Sequence, residues 1–145
     1  MERIKALSVG TKLALVAGTA LFLNLSLTWQ KIQVDFGPAG RAERLLDGWD
    51  VWGLLIGLLA LALVVLTALA HLTEVELPPG IPWEGVALAI GVLVFGLTLL
   101  KNLTDAGSTL ASYAGIALAA LVLAGVYLDP RKTRSTKSSS AVRVQ

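Results

Sequence analysis

Val51-Trp52-Gly53-Leu54-Leu55-Ile56-Gly57-Leu58-Leu59-Ala60-Leu61-Ala62-Leu63-Val64-Val65-Leu66-Thr67-Ala68-Leu69-Ala70 is a run of twenty residues without one charge. At 1.5 Å rise per residue it spans about 30 Å, the thickness of a bilayer hydrocarbon core. A lipid-embedded backbone must satisfy its own hydrogen bonds, and this run has no period-two alternation, so it predicts a membrane-crossing helix.

Three further stretches resemble it. Residues 13–29 follow Lys12, whose long stem can reach the headgroups. Residues 83–100 open on Pro82-Trp83-Glu84, a helix-starting proline beside interfacial residues, and close on Lys101. Residues 108–128 end in Tyr127-Leu128-Asp129-Pro130, an aromatic anchor followed by a helix breaker. The expected fold class is an all-α bundle of four transmembrane helices over residues 1–130, with a tail at 131–145.

Composition agrees with a lipid solvent: 55% of the 145 residues are hydrophobic and 15% are charged. The net charge of +2 is small and the basic residues gather at the chain ends, so no nucleic-acid footprint is expected. Without cysteine, the chain has no disulfide, thiolate metal site or cysteine nucleophile. The first stretch follows Arg3, Lys5 and Lys12 as a signal peptide would. However, Ser26-Leu27-Thr28-Trp29-Gln30 offers no small-x-small cleavage pair, and an uncleaved helix is expected.

Lys and Arg concentrate in cytoplasmic segments. The amino end holds three, the carboxyl end five and the second loop none, against three in the first loop and one in the third. Eight against four predicts both termini on the cytoplasmic side of the plasma membrane.

In the first loop, Lys31-Ile32-Gln33-Val34-Asp35-Phe36 alternates as a short strand and Gly37-Pro38-Ala39-Gly40 turns the chain. Ala42, Leu45, Leu46 and Trp49 then follow at i, i+3, i+4 and i+7, predicting a surface amphipathic helix. The serine-rich tail has no apolar period and is expected to be disordered. Its Arg131, Lys132, Arg134 and Lys137 are expected to contact anionic headgroups.

Small residues recur at four-residue spacing: Gly53 with Gly57, Ala14 with Gly18, Ala87 with Gly91, and Ala111 with Gly115. Such pairs let helices approach closely, chiefly inside the bundle, and Gly53 and Gly57 are the candidates for self-association. No Asp, Glu, Lys or Arg lies at a span centre, which disfavours pumps and proton-coupled carriers. Asn24 is expected to bond across helices. His71, with Glu74 and Glu76 nearby, is not expected to bind metal, and no cofactor is implied.

The candidate recognition surface is the outer rim: Trp29, Asp35, Arg44, Asp47, Trp49, Trp52, Lys101 and Asp105, with Arg41, Glu43, Asp50 and Asn102 around them. It contains no nucleophile, base and acid in a recognisable set, so no catalytic residues are expected. The ordinary alternative for these residues is a solvated rim with tryptophans at helix ends.

Leu21-Phe22-Leu23-Asn24-Leu25-Ser26-Leu27-Thr28-Trp29, a polar loop and then Gly48-Trp49-Asp50 resemble small four-span membrane proteins of uncharacterised families common in actinobacteria. Those often end their first span in Leu-Pro-Trp, where Thr28 stands here. The resemblance implies a bacterial plasma-membrane protein and assigns no functional residue. The expected role is a non-catalytic assembly or accessory subunit, or a homo-oligomer. The alternative is a component of a small-molecule or ion channel or transporter.

Overall fold

The computed structural model describes residues 7–73 and 78–128. Among these residues four helices and one two-stranded sheet follow in the order α1 (Val9–Asn24), β1 (Thr28–Asp35), β2 (Arg41–Asp47), α2 (Val51–Leu72), α3 (Trp83–Thr104) and α4 (Leu110–Tyr127). A single 3-10 turn at Gly37–Ala39 joins the strands. The helices pack α1 on α2, α2 on α3, α3 on α4 and α4 on α1, which is a closed square of antiparallel neighbours.

Local chemistry sets the helix ends. Ser8 caps α1 by accepting a 3.0 Å hydrogen bond from the Thr11 amide, and Asp50 caps α2 by accepting one of 2.7 Å from Gly53. The bundle then buries many of its small residues with a few large ones and turns many Leu and Val side chains outward. On α2, Gly53, Ile56, Gly57, Ala60, Leu63 and Thr67 face inward, while Val51, Leu54, Leu58, Leu61 and Val65 form an exposed stripe. That is the reverse of a water-soluble helix, and an apolar belt this large calls for lipid around it. Helices α2, α3 and α4 are long and apolar enough to cross a membrane.

Helix α1 departs from the expected first span. It starts at Val9 and stops at Asn24, so Leu25 to Trp29 leave the helix. Its 16 residues reach about 24 Å, less than a full hydrocarbon core. It nevertheless lies between α2 and α4, and Gly18 packs beneath Val64 while Gly125 lets the Ala14 backbone come within 2.5 Å of where a Cβ would be. At Gly91 the approach is looser, and a Cβ would make only ordinary contact with Leu123 of α4 at 3.6 Å.

The first loop is a β-hairpin, so the amphipathic helix expected around Ala42, Leu45 and Leu46 does not form. Residues 41–47 pair antiparallel with β1, from Asp35 opposite Arg41 to Thr28 opposite Asp47. Gly37 and Gly40, at φ of 62° and 99°, reverse the chain where a side chain would be strained, and this lays β2 beside β1. Once a strand supplies backbone partners, a short isolated helix has little to offer in competition. Two periodicities fitted the same few residues, and the partner strand decided between them.

The tail cations Arg131, Lys132, Arg134 and Lys137, the Asp129-Pro130 stop, and Glu74 and Glu76 lie outside the described residues.

Candidate functional site: a buried lysine beneath the hairpin

Between Thr28 and Gln30 the β1–β2 register slips, leaving Trp29 without a partner across the hairpin. A bulge redirects the side chain it carries, and here the Trp29 indole is fully buried among Leu21, Leu25, Ile56, Val94 and Ala119. Its Nε1 donates a 2.9 Å hydrogen bond to the Asn24 carbonyl, which closes the end of α1. Trp29 is therefore a core residue, not the interfacial anchor its place in the sequence suggested.

Above the indole lies Lys101, in the last turn of α3 and with no exposed surface. Its Nζ donates to Asp50 Oδ2 at 2.5 Å, lies 2.9 Å from Asp105 Oδ2, and sits 5.7 Å from the centre of the Trp29 ring. Two of the three charges occupy a favourable end of a helix dipole, the cation at the C-terminus of α3 and the Asp50 carboxylate at the N-terminus of α2, while Asp105, the C-cap of α3, does not. The aromatic face adds a cation–π contact. A buried cation without partners would be very costly, so the two carboxylates and the ring make its burial tolerable.

The third loop completes the enclosure. The Lys31 amide donates to the Gly107 carbonyl at 3.0 Å and the Thr109 amide donates to the Trp29 carbonyl at 3.1 Å. The Thr109 hydroxyl donates to the Thr28 carbonyl through a short bond. A bridge between Gln30 and Ser108 adds the start of α4 to the edge of the hairpin. The base of the hairpin is thus held by α4 and the third loop, with Ile56 of α2 and Val94 of α3 packed around Trp29.

Of the outer residues singled out from sequence, Trp29, Lys101 and Asp105 converge, with Asp50 as the fourth member. Trp49 forms a second contact: its Nε1 donates to Ser26 Oγ at 3.0 Å, and its ring meets Phe22 edge-on with centroids 5.1 Å apart. The Trp49 amide is fixed by Asp47 Oδ1 at 3.1 Å. Gly57 faces this indole, and a Cβ there would stand 2.6 Å from it. At Gly53 the Gly48 carbonyl approaches so closely that a Cβ would overlap it. Both glycines thus receive the chain's own Gly48-Trp49 segment.

Asp35, Arg44 and Trp52 do not join the cluster. Asp35 pairs with Arg41 at 3.1 Å near the hairpin tip, Arg44 is exposed opposite Ile32, and Trp52 is exposed on the first turn of α2. Asn24 does not form the interhelical side-chain bond expected of it. Its Oδ1 is buried without a partner, while its backbone serves Trp29. Sequence reasoning missed the parts played by Gly107 and Thr109, and it paired Gly115 with Ala111 for helix packing where the structure sets it against the Trp29 indole.

At the opposite end of the bundle, Thr11, Thr67, His71, Trp83, Glu84 and Gly125 line a cavity of about 60 Å³, to which all four helices contribute. His71 Nδ1 lies 3.0 Å from the Thr67 carbonyl. The amino end of α1 and the carboxyl end of α4 therefore share the end away from the hairpin. No family model, curated protein or solved structure matches this chain.

Proposed function

We propose that this chain is a non-catalytic four-span protein of the plasma membrane, with both termini cytoplasmic, whose outer hairpin recognises a membrane partner. The partner is another membrane protein, which would make the chain an accessory subunit, or a second copy of itself. The four-span reading is supported by the position of α1: a helix flanked by α2 and α4 shares their solvent. Lys12 and the turn and strand beyond Asn24 lengthen its reach toward both headgroup layers. The basic excess of the terminal segments supports the orientation.

The observation that carries the recognition role is the contrast between the hairpin's fixed base and its exposed arm. Trp29 is buried, yet beyond it Lys31, Gln33, Asp35 and Phe36 and nearly all of β2 are exposed. Lys31–Glu43 and Asp35–Arg41 ion pairs line one face, while Ile32, Val34, Ala42 and Leu46 share the other with Arg44. A rigidly based arm with one largely apolar face and one charged face is a preorganised binding surface.

The test is a photo-crosslinking residue at Gln33 in native membranes. A reproducible stoichiometric adduct, from Gln33 and not from the lipid-facing Leu58, is the expected result. Adducts from neither position would remove the recognition role. A second reading, a passage formed by an oligomer, draws on the 60 Å³ cavity, which has room for about four to six waters at 10–15 Å³ each. Solute flux into liposomes carrying the purified protein, abolished by Thr67→Leu, would favour it over the first.

A further inference from the structure

The hairpin leaves one backbone edge half used. The Lys31 amide and the Trp29 carbonyl point away from β2 and bond the third loop, while the Phe36 amide turns inward to Gly40. Backbone groups alternate along an antiparallel strand, so those of Gln33 and Asp35 also point outward. The third loop ends its pairing at Lys31, and among the described residues nothing bonds the outward backbone groups of Gln33 and Asp35, both of which are exposed. Such an edge accepts a further strand.

We infer that the strand it accepts is β1 of a second copy of this chain, running antiparallel about a two-fold axis through Val34. In that register Val34 faces its own copy and Ile32 meets Phe36 of the second copy, so that Phe36, 58% exposed in the single chain, gains an apolar neighbour. Gln33 stands opposite Asp35 of the second copy. Their outward amides and carbonyls bond one another, and the Gln33 side-chain amide can donate to the carboxylate. The neighbouring registers are worse. A centre at Asp35 opposes two carboxylates, and a centre at Gln33 drives Asp35 of the second copy into the place that Gly107 occupies beside Lys31. Strand β2 paired with its own copy about its middle residue would oppose two Arg44 side chains.

The membrane permits this geometry. Side chains leave a sheet roughly at right angles, and Trp29 descends from β1 into the bundle core, so the base of the sheet lies across the end of the bundle. A two-fold axis perpendicular to that sheet runs along the membrane normal and keeps both copies in one membrane. Val34 is five residues on from Trp29, about 17 Å along a strand, which sets the two Trp29 side chains about 34 Å apart. A square of four helices is about 20–24 Å wide, so the two bundles stand clear of each other. Self-pairing rests on the recognition role proposed above and names its partner.

The chain has no native cysteine, so a single Val34→Cys in the full chain reports the axis directly when native membranes are treated with copper phenanthroline. Residues paired across the axis without hydrogen bonds lie about 4.5 Å apart at Cα, within disulfide reach. The expected result is a reductant-sensitive dimer from Val34→Cys and none from Leu45→Cys, exposed on the far strand, whose two copies lie at least about 14 Å apart. Adding Gln33→Pro removes an outward N–H, leaves the β1–β2 ladder intact, and should lower the dimer yield about tenfold or more. No dimer from Val34→Cys, an equal dimer from Leu45→Cys, or a yield indifferent to Gln33→Pro would each overturn self-pairing. If photo-crosslinking from Gln33 then captures a different protein, the recognition role stands without self-pairing. If it captures none, that role falls as well.

Discussion

The Trp29 indole rests on Gly115 so closely that a Cβ at position 115 would lie 2.5 Å from two atoms of the ring. Residue 29 belongs to the hairpin and residue 115 to α4, so this contact fixes the position of the extramembrane arm relative to the bundle. Neither partner can change alone. Gly115→Ala forces the indole off its seat among Leu21, Ile56 and Ala119, and overpacking of this kind costs about 1–3 kcal/mol. Thermal unfolding in detergent should show the loss. Red-shifted tryptophan emission should accompany it, since Trp29 is fully buried in the parent chain.

Lys101 should show strong coupling to its carboxylates. Lys101→Met alone leaves Asp105, whose side chain is only 10% exposed, without its counter-ion, and breaking a buried pair in this way costs about 3–5 kcal/mol. Asp50 is 41% exposed, so solvent screens its share and Asp50→Asn should cost about 1 kcal/mol, chiefly through the weakened pair. Lys101→Met combined with Asp105→Asn should recover most of the loss. A double-mutant cycle in denaturant measures this directly, and additive losses would contradict the ion cluster.

The hairpin turn depends on Gly40 at φ 99°. Gly40→Val should strain the turn by about 1–3 kcal/mol and loosen the Phe36 amide bond to the Gly40 carbonyl. The base of the hairpin is held independently by Gly107 and Thr109. Hydrogen exchange should therefore accelerate at residues 33–44 while the amides of Lys31 and Thr109 stay protected.

The helical core was legible in the sequence because long uncharged runs have one physical solution in lipid. Val51–Leu72 and Trp83–Thr104 lie close to where hydropathy put them. The first helix was misplaced by several residues at each end. Apolarity alone does not distinguish a helix buried in lipid from a turn or strand buried in protein, and Leu25 and Trp29 are the latter. The hairpin was half legible. The alternation of residues 31–36 and the glycine turn were evident, but β2 becomes a strand only because β1 lies beside it. The cluster around Lys101 was the least legible part. Its members stand as far apart as residues 29 and 105, and an isolated lysine after an apolar run ordinarily marks a water interface. Nothing local announces that Asp50 and a bulged tryptophan will enclose it.

The central claim is that the hairpin and both chain ends lie on opposite sides of the membrane, and the absence of native cysteine makes it directly measurable. Single cysteines would replace Gln33 on the hairpin, Ser8 before α1 and Thr73 after α2, and intact cells would be treated with a membrane-impermeant maleimide. The account predicts labelling at Gln33→Cys alone, with Ser8→Cys and Thr73→Cys reacting only after the membrane is opened. Labelling of Ser8→Cys or Thr73→Cys in intact cells, or protection of Gln33→Cys, would contradict it.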